Sequence, residues 1–545
     1  MVGSNLRNTS PVLALLALAL PASALAQPGV VQNPSYEPSP KPAVIDLRAP
    51  KAAPQPSGPG FSELDAFASG EADPVVEQDD TPHPIGDGLV QVGSMVVPQA
   101  MLDGAEMVPD ATRSLTAELD PVAGGGPNLE EICAFPDEVP AGIYDYDHRP
   151  GGETPRFATI YMNYLGGVLN SGGENSAENI SGIARSGHTY PVYGGGEARA
   201  IAAAQAVSAD FEPWAVRVVY EVRPPKVLPY TMVMMGGHYS DTTSGPAGGV
   251  APLDCEDFGQ RNVCYVFQNT SPAVIQANIA SQEIGHTLGL GHTNASDSVM
   301  ATGYAPTQSG DLGFNDSCAE TIAVQGQGAH CVGVNRCHCG VPDAQHDRNT
   351  LFATFAAAGV DMVEPTIAIT SPEDGTTFEP GTDVFIEVDP WDDFGGYGWQ
   401  LTLTDEATGE VLGEAVDYDR ALEFKLTGLP EGSYRATVLI QDHADHTATD
   451  EILFSVGDVA AGTSGGSGSG GSDESGGDET GTSGSASGTG NDADTASSGA
   501  DTDGDGVGQD VASDGDGCGC TSGGPTEAPA FLLFSLPLFF LRRRR

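Results

Sequence analysis

Basic residues are scarce in this chain of 545 residues: lysine and arginine number 22 against 75 aspartates and glutamates, a formal net charge of −53. That deficit excludes nucleic acid and anionic lipid surfaces as partners, because polyanions repel one another at long range. Long apolar runs are missing as well. The stretches Pro11 to Leu20 and Ala530 to Leu541 are both shorter than the roughly 20 residues a helix needs to cross a bilayer. Between Asp458 and Gly517 there is no lysine or arginine at all, and Gly, Ser, Asp and Thr dominate, so this stretch lacks the apolar side chains from which a core is built. What remains is too long for one core, and the sequence predicts several modules joined by linkers.

The start of the chain predicts export. Arg7 precedes the apolar run, and Ala24, Leu25 and Ala26 supply the small residues that a signal peptidase accepts, which makes 1–26 a signal peptide rather than an anchor. Residues 27–150 are rich in Pro, Ala and acids, with only brief apolar runs such as Leu89 to Val97, and predict a poorly ordered, low-complexity leader or propeptide. Export also predicts that most of the nine cysteines are bridged. Cys255 and Cys264 flank a segment short enough to close as a hairpin, and the four from Cys318 to Cys339 would pin a loop-rich stretch. At the other end, Cys518-Gly-Cys520, a spacer, the short apolar tail and Arg542 to Arg545 resemble the myxobacterial type of C-terminal sorting tag. The resemblance implies processing near the cysteines and attachment of the protein to the membrane or cell surface, so that 458–517 becomes an acidic linker and 518–545 the tag.

Residues 151–363 predict a mixed fold. Arg156 to Leu165, Trp214 to Val222, Tyr230 to Met235 and Cys264 to Phe267 carry strand patterns, while Glu197 to Phe211 carries a helical one. A second helix is expected over Ala273 to Leu288, with Ser271 as its cap, Pro272 at its first position and Gly289 at its stop. From 364 to 457 the pattern changes to short alternating strands, as in Asp383 to Val388 and Tyr434 to Ile440, the spacing of a small β-sandwich. The opening Ile369-Thr-Ser-Pro-Glu-Asp-Gly375 resembles bacterial immunoglobulin-like modules. The fold class is therefore an α+β domain, a twisted mixed sheet plus helices of which Ala273 to Leu288 is the expected active-site helix, followed by an all-β immunoglobulin-like sandwich, with long disordered segments outside them.

The chemistry is concentrated in Gln282-Glu283-Ile-Gly-His286-Thr-Leu-Gly289-Leu-Gly-His292. Residues four apart on a helix project from one face, so Gln282 and His286 share a metal-facing side, and Glu283 stands where it can reach water beside them. A glycine after the second ligand lets the chain turn back and bring His292 to the same point. Met300 follows eight residues later. This pattern resembles the metzincin clan of zinc metallopeptidases, and within it the matrixin-like members, whose motif is HExxHxxGxxH followed by a methionine turn. The resemblance implies a zinc-dependent endopeptidase acting on extracellular protein or peptide. By position, Glu283 is the general base, Gln282, His286 and His292 hold zinc, and Met300 lies beneath the metal. The departure is Gln282, where the family has histidine; an amide oxygen is a weaker donor than imidazole.

That departure leaves two functions open: the peptidase, and a catalytically silent fold used for binding or adhesion at the surface. A purely structural protein is the third. His238 could supply the ligand that Gln282 does not, and His330, His338 and His346 lie among the clustered cysteines, where a second zinc site or disulfides would fit. Between the signal peptide and the tag stand seven cysteines, an odd number, so a free thiol is expected. Matrixin-like zymogens place a propeptide cysteine on the zinc. Cys133-Ala-Phe-Pro136-Asp137 has the right place in the chain for this, and Cys339-Gly-Val-Pro342-Asp343 the better residues. Calcium is a further cofactor reading, from the acidic spacing of Asp501, Asp503 and Asp505 in the linker.

Overall fold

A computed structural model of the chain describes residues 41–49, 59–69, 81–86, 88–102, 155–269, 271–301, 310–322, 331, 339 and 344–458. The signal peptide, the acidic linker with its calcium-like spacing, the sorting tag and Cys133 lie outside them.

Eight strands form the first sheet: β1 His83–Gly86, β2 Leu89–Val92, β3 Met95–Pro98, β4 Ala158–Asn163, β5 Val216–Val219, β6 Thr231–Met235, β7 Gly249–Pro252 and β8 Val263–Val266, in the spatial order β1-β2-β3-β7-β8-β6-β4-β5. Strands β8, β6, β4 and β5 run parallel, and β7 is antiparallel to β8. Central strands of a parallel sheet are covered on both faces, so their sequences are continuously apolar rather than alternating. Thr231–Met235 obeys this, with all five residues buried. Two helices, α1 Glu197–Asp210 and α2 Ala273–Thr287, are packed together against the sheet. Every residue of α2 from Ile275 to Thr287 is buried, including its polar ones. Ser271 does not cap α2 as expected: its hydroxyl donates to Gln268 Oε1, and Pro272 occupies the cap position.

The second sheet system is an all-β, immunoglobulin-like sandwich. Four strands in the order Ala43–Asp46, Glu423–Thr427, Val384–Trp391 and Thr366–Ser371 form one layer. The other, in the order Thr376–Phe378, Thr447–Val456, Gly432–Gln441, Gly398–Asp405 and Val411–Val416, has five. Val384–Trp391 alternates strictly between buried and exposed, as a strand with one wet face must. Trp399, Tyr434, Phe424 and Leu401 fill the space between the layers.

The leader departs from its expected disorder. Described parts of 27–150 supply β1, β2 and β3 to the first sheet and Ala43–Asp46 to the sandwich. Strand β3 pairs in parallel with β7, and Val90, Val92, Met95, Val96 and Val97 are buried. The apolar run is too short to make a core by itself. It becomes a strand because β7 has an open edge whose backbone groups it satisfies. Composition shows nothing of that edge.

The expected bridging is present in part, and one pairing differs from expectation. Cys255 is bridged to Cys331, not looped to Cys264, and Cys318 is bridged to Cys339. Cys264 cannot close a hairpin because it lies inside β8; it is a free, buried thiol whose pKa burial raises. Cys339, held in its disulfide, has no thiol to offer a metal.

The two domains are joined by buried polar contacts. Arg156, almost fully buried, donates from Nη1 to the carbonyls of Glu256 and Asp257, and its backbone bridges to Phe355 and Gly395. His443 of the sandwich lies against Thr159 Oγ1 at 2.8 Å and the Gly396 carbonyl at 2.9 Å. At the rim Arg217 makes a forked ion pair with Asp445, at 2.7 and 2.9 Å.

Candidate metal centre

Helix α2 delivers Gln282, Glu283 and His286 from its last two turns. It stops at Leu288, and Gly289 adopts φ +94°, a conformation that glycine tolerates and other residues rarely enter. The turn is tight: a Cβ at Gly289 would lie 2.8 Å from the Glu256 nitrogen. Leu290 N then donates back to the Gly285 carbonyl at 2.8 Å, and the chain carries His292 to the helix.

His286 and His292 converge. Their Nε2 atoms are 3.2 Å apart, and the rings meet edge to face. A carbonyl only accepts, so the 2.7 Å contact from His286 Nδ1 to the Leu290 carbonyl places the hydrogen on Nδ1 and a lone pair on Nε2. This is the arrangement that orients an imidazole toward a metal. Burial, with His292 adding to it, depresses the pKa of His286 well below the usual imidazole value; burial pushes His292 down to about 4. Both rings are therefore neutral at pH 7 and fit to be ligands.

Glu283 is fully buried, and neither carboxylate oxygen has a hydrogen-bond partner. Burial raises its pKa well above the carboxylate range; the nearby Ser94 hydroxyl offsets this only in part, its own hydrogen bonds running to the imidazoles. Gly249 in β7 makes room for the side chain, since a Cβ there would lie 2.6 Å from Glu283 Oε1. Met300 is buried under the helix, its Sδ 2.7 Å from where a Cβ on Gly285 would stand. Gln282 is buried, and its Nε2 donates to the Ala301 carbonyl at 2.9 Å.

Three contributors were not singled out by sequence. Ser94, in the turn between β2 and β3, places Oγ 3.0 Å from His292 Nε2 and 3.2 Å from His286 Nε2. Gln345 holds Gly291 by both its nitrogen and its carbonyl, at 2.8 and 3.0 Å. Asp347 accepts from Gln345, from Ser298 Oγ and from the Asn315 nitrogen, so the chain between His292 and Met300 is braced from behind. A short apolar run in the leader is the only signal that pointed near Ser94; for Gln345 and Asp347 there is none.

The remaining histidines have other partners. His238 caps the short helix Tyr239–Asp241 through Nδ1, and His346 caps Asp347–Phe352 through Nδ1. His330 and His338 lie outside the described residues.

No family model matches this chain, and no curated protein matches it. Among solved structures it is similar to the fibronectin(III)-like modules of Clostridium thermocellum CbhA, at 16% identity over 27% of this chain, with a TM-score of 0.15. The chain spans 64% of the length of that structure. It is also similar to the PKD domain of human KIAA0319, at 16% identity over 19% of this chain and 89% of that one, TM-score 0.14. A third is wild type OgpA from Akkermansia muciniphila, at 9% identity over 55% and 93% of the two chains, TM-score 0.15. Likenesses this distant carry no argument about chemistry.

Proposed function

We propose that the chain is an exported, surface-held, metzincin-like zinc endopeptidase whose own leader strand covers the site. The observation that carries this reading is the pair of neutral imidazoles with Nε2 atoms 3.2 Å apart, one fixed as a lone-pair donor by the Leu290 carbonyl. The donor set fits zinc: His286 and His292 would hold it, with Gln282 the weak third ligand and Ser94 a neutral oxygen beside them. Zinc, when bound, would polarise a scissile carbonyl and acidify water. Glu283, whose carboxylate oxygens have no hydrogen-bond partner, would as the ionised base receive the proton of the attacking water and return it to the departing amine. The edge of β7, which β3 pairs along, is where an extended substrate peptide would add as a strand. The leader must leave first.

Glu283→Gln should lower peptide cleavage by about 100-fold or more while leaving bound zinc unchanged. Retained cleavage would remove Glu283 from the role of base. One observation favours a silent, surface-binding protein instead: the Gln282 amide is engaged with the Ala301 carbonyl. On that reading, purified protein carries no stoichiometric zinc and cleaves nothing, and Gln282→His restores metal.

A further inference from the structure

The linker between the domains turns the usual rule of burial inside out. Val360 and Met362 are 82% and 80% exposed, whereas Asp361 between them is 4% exposed. A carboxylate driven inward past two apolar neighbours requires a compensating interaction. Its Oδ1 accepts from the Val363 nitrogen at 3.1 Å; Oδ2 is buried without a partner.

Asp361 is grouped with other acids and with one imidazole, that of His446. Carboxylate oxygens of Asp361, Asp392 and Asp393 lie within 4.8 Å of one another. Asp392 is 9% exposed, and its buried Oδ1 also lacks a hydrogen-bond partner. Asp442 is close by, with both oxygens already used by the backbone of Ala444 and His446 and by the His446 ring. Burial first, then the charges of Asp361, Asp442 and Asp393, push the pKa of Asp392 up to about 7. His446 lies within 4.8 Å of both Asp361 and Asp442 and is hydrogen-bonded to Asp442 Oδ2 at 2.8 Å, whereas Asp392 and Asp393 are grouped only with Asp361. Two buried acceptors without hydrogen-bond partners in such a group of acids are costly unless a proton or a cation is taken up there.

We propose that Asp361, Asp392 and Asp393 bind a divalent cation of the calcium class, which fastens the interdomain linker to the sandwich. The donors are hard carboxylate oxygens from two separate segments of chain, which suits calcium; magnesium demands a regular octahedron and gives up water reluctantly. The Asp392 and Asp442 turns are also those that meet the first domain, through Gly395 on one side and His443 and Asp445 on the other. A cation here therefore fixes how the linker and both turns are held.

The test uses the full chain with calcium chloride as the probe. Modules of this kind bind calcium at about 0.1–1 mM, so about 5 mM should raise the melting temperature by about 2–8 °C over protein in chelator. Asp361→Asn combined with Asp392→Asn should abolish that rise. Because the amides remove repulsion, the double variant in chelator should melt no lower than wild type in chelator. Asp503→Asn, in the acidic linker, should leave the calcium response intact. Terbium excited through Trp391, which adjoins Asp392 and is 53% exposed, should luminesce with wild type and not with the double variant. A wild-type protein indifferent to calcium, or a double variant that responds as wild type does, would overturn the site.

Discussion

Gly289 decides whether His292 reaches His286. Its φ of +94° and the absence of a Cβ against Glu256 are both used, so Gly289→Ala should destabilise the first domain by about 1–3 kcal/mol. A urea titration measures this, and wild-type stability would show that the turn can be made otherwise. This residue was legible: a glycine three beyond His286, at the end of an expected helix, marks a helix stop and a turn. Gln282, Glu283 and His286 could be related by helical periodicity alone, whereas His292 and Met300, beyond the helix end, were named from the resemblance of the whole spacing to a known motif. Ser94 could not. Its contact spans 198 residues of sequence to His292, and a serine in a leader carries no periodic signal.

Strand β3 is the element that composition misjudged. Low hydrophobicity averaged over 27–150 hid a run that needs a partner edge rather than a core, and β7 is that edge. The helices and central strands were legible to within a few residues, since their patterns come from local burial. Pairing between distant segments, disulfides included, was not, because sequence spacing does not report on loop paths. The turn before β3 places Ser94 within hydrogen-bonding distance of both imidazoles, so Ser94→Cys should put a thiol where the hydroxyl stands. In cobalt-substituted protein this variant should gain a thiolate-to-metal absorption band that wild type lacks, and it should release metal to chelator more slowly. An unchanged spectrum would mean that the turn does not reach bound metal.

At the scale of the whole molecule, the contact between domains is sensitive to acid through His443. Burial, reinforced by Arg217, holds its pKa down to about 3, against 6.5 for a free imidazole. As pH falls below 6.5 the unfolded chain takes the proton first, so this group's contribution to stability is present above 6.5 and is lost progressively toward pH 3. His443→Gln should remove up to about 1.4 kcal/mol per pH unit of that slope, read from urea midpoints between pH 7 and pH 4. Parallel slopes for the two proteins would show that the ring protonates in place.

The N-terminal stretch is divided between both domains, with Ala43–Asp46 hydrogen-bonded into one and β3 into the other. A single peptide-bond cut anywhere from residue 103 to residue 154 would therefore not shed the leader. The nicked protein would elute as one particle and separate into two chains only in denaturant, because two strands would have to be peeled from two sheets.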